Sequence, residues 1–404
     1  MKRIGILTYH RSHNYGAFMQ AYSLSTKLIT DFPDCDVKII DYISEEVYLM
    51  YHPSVLNYTK RAIKAPTFKK KLSYAKQLFE LIISRNERSK SITDDNFEKS
   101  LKLLPLTEEK IISDDLDEIV AYINNNFDII VVGSDAVWNW QIRRFPNVYF
   151  LGKEIKVYKF SYAASSYGQP FRELTEHQVQ YLKKAWISYN YIGVRDKPTE
   201  EFVSSIVPQR SPSHNCDPTV ILDMQNLPVN NSQVLEKLKK NGFDPQKKTI
   251  GLMAQKWLFD IVKDNMPEGY QIVSLFNYHK DADVNALDLT PFEWTVAFSF
   301  FDITITHYFH GNLLSLKNST PTLVVEKRNE YNQDYNSKIR DFMSRIGLLD
   351  YCFYEDELLN DESISVLISH VISDKDYLQK IINGLESEAQ TYQRLKEELR
   401  KVVY

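Results

Sequence analysis

The sequence predicts an α/β chain of two domains, each built on a parallel sheet. Three observations carry this. At 404 residues the chain exceeds what one ordinary core serves, so two domains are expected. Short apolar runs alternate with helical periodicities along most of its length, the pattern of strands joined by crossover helices. Hydrophobic residues make up 43% and charged residues 25%, so folded structure rather than extensive disorder is expected.

In the first half, strands are predicted at 3–9, 36–43, 127–134, 156–164 and 191–196. In the second half they fall at 249–254, 271–276, 302–307 and 321–326. Helical patterns lie between them, as at 17–28 and 176–189. A boundary is expected in DPTVILDMQNLPVNNS (217–232), where an apolar run gives way to Pro and Asn. The expected division is a first domain over 1–225, a second over 226–373, and a charged helical stretch at 374–404. That last stretch either packs back on the first domain or lies solvated on the second.

An insertion at 47–115 interrupts the alternation. Between Glu46 and Glu80 it has no acid but seven basic residues, interleaved with aromatics. Such a segment is either a solvated helical face or a surface for anionic lipid headgroups.

The net charge of −4 gives no reason to expect nucleic acid as a partner. Cys35, Cys216 and Cys352 are scattered and form no CxxC pair, so neither a disulfide framework nor a zinc knuckle is expected. The start, MKRIGILTYH, reads straight into a strand, and no run reaches the ~20 apolar residues of a membrane span. A cytoplasmic protein is expected.

The chemistry should sit at the carboxyl ends of the strands, where open parallel sheets bind ligands. Gly16, Gly133, Gly168, Gly193, Gly251 and Gly311 fall in or just beyond predicted strands, serving either anion approach or tight turns. Asn14 is expected to cap helix 17–28, whose amides at 15–17 would add positive potential to the cleft. After FDIIVVG, Ser134 and Asp135 reach the same edge. Asp135 serves either as a proton acceptor or as a helix cap. Trp138 serves either a sugar face or the core. YIGVRDK delivers Arg195, whose planar fork suits a carboxylate or phosphate, or else a structural acid. His310 and Gly311 are expected just before helix 312–317, a place suited to phosphate binding or proton donation. His307 and His310 lack a third ligand, so no metal site is expected.

The stretches HNYGAFMQAYSL, DIIVVGSDAVWN, FSYAASSYG, IGVRDKPTEEFV, CDPTVILD and THYFHGNLLSLKNSTPTLVVE, followed by NSKIRDFMSRIGL, resemble the polysaccharide pyruvyl transferase family. They occur in the family's order across roughly residues 1–350. The resemblance implies two Rossmann-like domains facing across a cleft, similar to GT-B glycosyltransferases. It implies transfer of a pyruvyl group from phosphoenolpyruvate onto two hydroxyls of a sugar as a cyclic ketal, in capsular or cell-surface polysaccharide biosynthesis. No cofactor or metal is required.

Arg195 and His310 map onto the residues linked to donor binding. On this reading His310 is the acid or phosphate ligand, Asp135 the base and Arg195 the anion clamp. Gly311, Asn14, Gly16 and Ser134 complete the donor site, and Trp138, Asn139 and Tyr15 meet the acceptor. The basic insertion suggests a lipid-linked oligosaccharide acceptor and peripheral contact with the inner membrane surface.

One departure stands out. Many relatives carry Arg two residues before the His, where this chain has Tyr308. Arg195, Lys256, Lys317, Lys327, Arg328 or Arg340 would have to supply the missing charge. The same departure leaves open a non-catalytic sugar-binding relative. A GT-B-like glycosyltransferase using a nucleotide sugar is the other alternative.

Overall fold

The structure, a computed structural model, describes residues 1–404 except 53–54, 65–67, 84–91, 141–144, 168–172, 329–336 and 361–363. Gly168 lies outside the described residues.

Two six-stranded parallel sheets organise the chain. The first runs, edge to edge, Cys35–Ile39, Lys2–Leu7, Ile129–Val132, Tyr158–Ala164, Tyr191–Val194 and Ser213–His214. Its central strands are continuous apolar runs because both faces are covered. Ile129 and Val131 point into one core cluster, while Ile130 and Val132 point into the other. The second sheet runs Val284–Asn285, Tyr270–Ser274, Lys248–Met253, Ile303–Thr306, Thr322–Glu326 and Cys352–Tyr354. Strand order reverses beside Lys2–Leu7 in the first sheet and beside Lys248–Met253 in the second. Ligand crevices open at the carboxyl ends of such switch points.

The predicted strand at 36–43 is two pieces: Cys35–Ile39 joins the main sheet, and Tyr42–Ile43 pairs instead with Ile111–Ile112. Ser213–His214, Val284–Asn285 and Cys352–Tyr354 went unpredicted, since two or three residues are too few to show a period. Gly193 and Gly251 lie inside strands, close under Asn215 and Phe301, and not at the rim.

The domains meet along the helix Tyr15–Asp31. Phe18 and Tyr22 set their rings 5.4 and 4.9 Å from Phe292, and the Tyr15 hydroxyl donates to the Leu289 carbonyl at 2.8 Å. The last two helices, Tyr377–Gln390 and Tyr392–Val403, cross back to the first domain. There Lys396 meets Asp31 at 2.8 Å, and the Thr391 hydroxyl accepts the Cys216 amide at 2.7 Å.

The insertion folds as helices, including Val55–Lys64 and Phe68–Ile83 packed on each other. Leu56, Ile63, Phe68 and Leu72 on this pair are 64, 73, 81 and 63% exposed, and Lys60, Lys71 and Lys76 are exposed beside them. Among the described residues no helix is long and apolar enough to cross a membrane.

Candidate functional site

The two rims meet where the helix Tyr15–Asp31 faces the helix Phe309–Lys317. Asn14 caps the former: its Oδ1 accepts the amides of Gly16 at 2.9 Å and Ala17 at 3.3 Å. Two of the three amides at 15–17 expected to face a ligand are thereby taken, and Asn14 serves as the cap the sequence predicts. His310 lies directly on Gly16. A Cβ built at residue 16 would stand 2.0 Å from the ring Nδ1, so only glycine leaves space for the imidazole.

The helix carrying His310 begins at Phe309, not at 312. Thr306 Oγ1 accepts the Tyr308 amide at 2.9 Å, turning the chain immediately after the strand. His310 therefore sits inside the first helical turn. A Cβ at Gly311 would lie 2.7 Å from Met253 Sδ and 2.8 Å from Thr306 Oγ1. A glycine is therefore required there by the packing of helix on strand.

Asp217 ties the pieces together. It is buried at the start of the turn Pro218–Ile221, where Oδ1 accepts the Thr219 amide at 3.0 Å and hydroxyl at 2.7 Å. Its Oδ2 takes Gln20 at 2.5 Å and Arg195 Nη1 at 3.0 Å, and lies 3.7 Å from His310 Nε2. Burial opposes its charge, but His310 and Arg195 outweigh burial and hold the carboxyl well below the usual range. Burial likewise opposes the Arg195 charge, and Asp217, Asp135 and Asp196 more than offset it. The guanidinium also lies 5.1 Å from the Phe309 ring centroid.

Several polar atoms here have no partner. Arg195 Nε and Nη2, His310 Nε2 and Ser134 Oγ are buried without a hydrogen bond. Buried polar atoms are nearly always satisfied, so such a set at converging strand ends fits a site shaped for a polar ligand. The unpaired donors of Arg195 suit an anion.

Sequence reasoning assigned no role to Asp217 and missed Lys338 altogether. That lysine opens the helix Lys338–Arg345 and sets Nζ 4.8 Å from the Tyr167 ring and 5.7 Å from the Phe309 ring. Burial, and next the Arg195 charge, push its ammonium below the ordinary lysine value, with Asp135, Asp196 and Asp217 pulling the other way. The other cations considered are engaged elsewhere. Lys256 pairs with Asp260, Lys317 donates to the Val220 carbonyl, Lys327 meets Glu355, Arg328 meets Asp356 and Glu357, and Arg340 donates to the Cys352 carbonyl. Tyr308 packs on His307 and Phe276, outside this charge cluster.

Asp135 is half-buried at the end of Ile129–Val132, and its Oδ1 accepts the Ala136 amide at 2.7 Å. Its charge acts on both Arg195 and Lys338. Trp138 is fully buried: its indole N–H donates to the Tyr149 carbonyl at 3.1 Å, and its ring packs on Trp186. No face is left for a sugar, which corrects its assignment. Asn139, next in sequence, is also buried. Tyr15 is half-buried in the domain interface, its hydroxyl held by Leu289. Among the described residues no group of three or more His, Cys, Asp or Glu is placed to hold a metal ion.

Three solved structures are similar to this chain. UDP-GlcNAc 2-epimerase from Neisseria meningitidis, bound to UDP-GlcNAc, has a TM-score of 0.52 at 10% identity, with 99% of this chain and 100% of that one covered. UDP-GlcNAc 2-epimerase from Methanocaldococcus jannaschii has 0.47 at 10% identity, covering 96% and 93%. E. coli ADP-heptose lps heptosyltransferase II has 0.37 at 11% identity, covering 96% and 99%. The likeness to the first is one of fold, two Rossmann-like domains facing across a cleft in the GT-B arrangement. No curated protein matches the chain. The polysaccharide pyruvyl transferase family matches over residues 14–327, a span that carries Gly16, Asp135, Arg195, Asp217 and His310, and the chain belongs to that family.

Proposed function

We propose that the protein moves a pyruvyl group from phosphoenolpyruvate to two hydroxyls of a sugar, forming a cyclic ketal during assembly of a capsular or cell-surface polysaccharide. The observation that supports this most is the set of unpaired donors, Arg195, His310 and Ser134, at the junction of two sheets, with the Lys338 ammonium beside them. A small donor bearing a carboxylate and a phosphate needs such fixed positive charge in a site shielded from water.

In the reaction, His310 protonates the methylene carbon of the donor and C2 becomes electrophilic. A sugar hydroxyl adds to C2 and loses its proton to Asp135. The bond from C2 to the phosphate oxygen then breaks, and the second hydroxyl adds to C2 and passes its proton to the His310 ring that gave one up, while the proton held by Asp135 leaves with the inorganic phosphate. Arg195 and Lys338 hold the carboxylate and the departing phosphate. When the His310 ring carries its proton, the Asp217 carboxylate is its counter-ion. No step requires a metal or a nucleotide.

The acceptor on this reading is a lipid-linked saccharide at the inner membrane surface. The exposed Leu56, Ile63, Phe68 and Leu72, set among exposed lysines, support that placement.

The test is incubation with phosphoenolpyruvate and lipid-linked or aryl galactosides, mannosides and N-acetylhexosamines, followed by phosphate assay and mass spectrometry. Phosphate release with the mass gain of one ketal-linked pyruvate is expected, falling by ~10²-fold or more in His310→Ala. Consumption of a nucleotide sugar instead, with release of its nucleotide, would overturn the reading.

A further inference from the structure

A cavity opens at the rim of the first sheet, on the face that carries Tyr9, Tyr42 and Tyr149. It measures about 240 Å³, and the mechanism above leaves it unused. Its walls include Tyr9, Tyr42 and Tyr149, all belonging to the core cluster on that face. The rings of Tyr9 and Tyr42 lie 4.7 and 6.0 Å from Tyr149. The cavity also borrows from the donor site's own loops. Tyr9, Arg11 and Ser12 precede the Asn14 cap, and the Tyr9 hydroxyl donates to the carbonyl of Ala136, next in sequence to Asp135, at 3.4 Å.

Charge says what fits. Among the described residues Arg11 is the one basic residue in the lining, and its guanidinium is bonded to the buried Asp41 through both Nε and Nη2. The other charged lining groups, Glu46 and Asp114, are acidic. The described lining thus offers an anion no cation that is not already bonded to a carboxylate. Aromatic walls combined with hydroxyl and carboxylate groups instead match a sugar ring, which offers C–H faces and hydroxyl edges at once.

We infer that this cavity is the acceptor subsite and takes an uncharged pyranose ring, presented toward Asp135. The assignment rests on the pyruvyl-transfer reading for the word acceptor, although sugar binding itself does not depend on it. Two exposed rim positions allow a test without disturbing the core: Glu46, and Met50 at 52% exposure.

Saturation-transfer NMR without phosphoenolpyruvate would use the full chain with p-nitrophenyl β-galactoside, p-nitrophenyl β-mannoside and p-nitrophenyl N-acetyl-β-glucosaminide. Transfer to the pyranose protons of at least one is expected, weakened ~10-fold or more in Glu46→Arg and Met50→Trp. Phosphoenolpyruvate binding by calorimetry and the unfolding temperature should stay unchanged in both variants. Failure of all three glycosides to bind the wild type overturns the inference. So does unaltered binding, or an unaltered acceptor KM, in both variants, and turnover would then leave the transfer reading standing. Sugar binding lost in the variants of a protein that never consumes phosphoenolpyruvate would sink the transfer reading and keep the sugar site.

Discussion

The imidazole of His310 fills the space that any side chain at Gly16 would need, so a glycine of one domain sets the position of a histidine of the other. A methyl group at residue 16 must displace that ring. Gly16→Ala should therefore lower kcat by ~10²-fold, the effect of moving a reacting group by about 1 Å. Phosphate-release kinetics beside a thermal unfolding curve check this. Wild-type turnover in a folded variant would remove His310 from the chemistry or the contact from importance.

Lys338 should act on the donor. Loss of a charged contact is worth about 1.5–3 kcal/mol, so Lys338→Ala is expected to raise the phosphoenolpyruvate KM by ~10- to 100-fold. Lys338→Arg should recover most of that, since position and charge are kept. An unchanged KM in the alanine variant would assign the charge elsewhere.

Acid should weaken the first domain through Asp41. Burial opposes its ionisation, but Arg11 and His10 hold its carboxyl at about 2, below the unfolded value. The folded value being the lower, the contribution is complete above roughly pH 4, amounts to about 2 kcal/mol, and fades as pH falls toward 2. Urea unfolding of the wild type and Asp41→Asn should show a stability gap that narrows as pH drops. A constant gap from about pH 7 down to 3 would contradict this linkage.

The exposed apolar pair Ile63 and Phe68 should bring the protein to anionic bilayers. Replacing both by Glu is predicted to cut co-sedimentation with phosphatidylglycerol vesicles by ~10-fold or more, with phosphate release on a soluble aryl glycoside retained. Equal sedimentation of variant and wild type would return the insertion to a solvated role.

Legibility followed the physics of each element. The central strands were readable because burial on both faces leaves long Val and Ile runs, as at 129–132. The edge pairs at 213–214 and 284–285 were not, because their identity comes from neighbouring strands and not from their own composition. Arg195 and His310 were readable from position at a strand end and a helix start. Asp217 was visible in CDPTVILD, yet its bond to Arg195 needed the fold of the first domain and its approach to His310 needed the two domains in contact. Lys338 was hidden because a lysine at a helix start reads as solvated unless its neighbours in space are known. Trp138 misled for the converse reason, as an indole near a strand end looks available until the Trp186 ring is seen against it.

The chain passes between its domains twice, and the two passages touch where Thr391 receives the amide of Cys216. Asp217 follows directly on that contact, so the carboxylate shared by Arg195 and His310 is fixed where the chain crosses from one domain to the other.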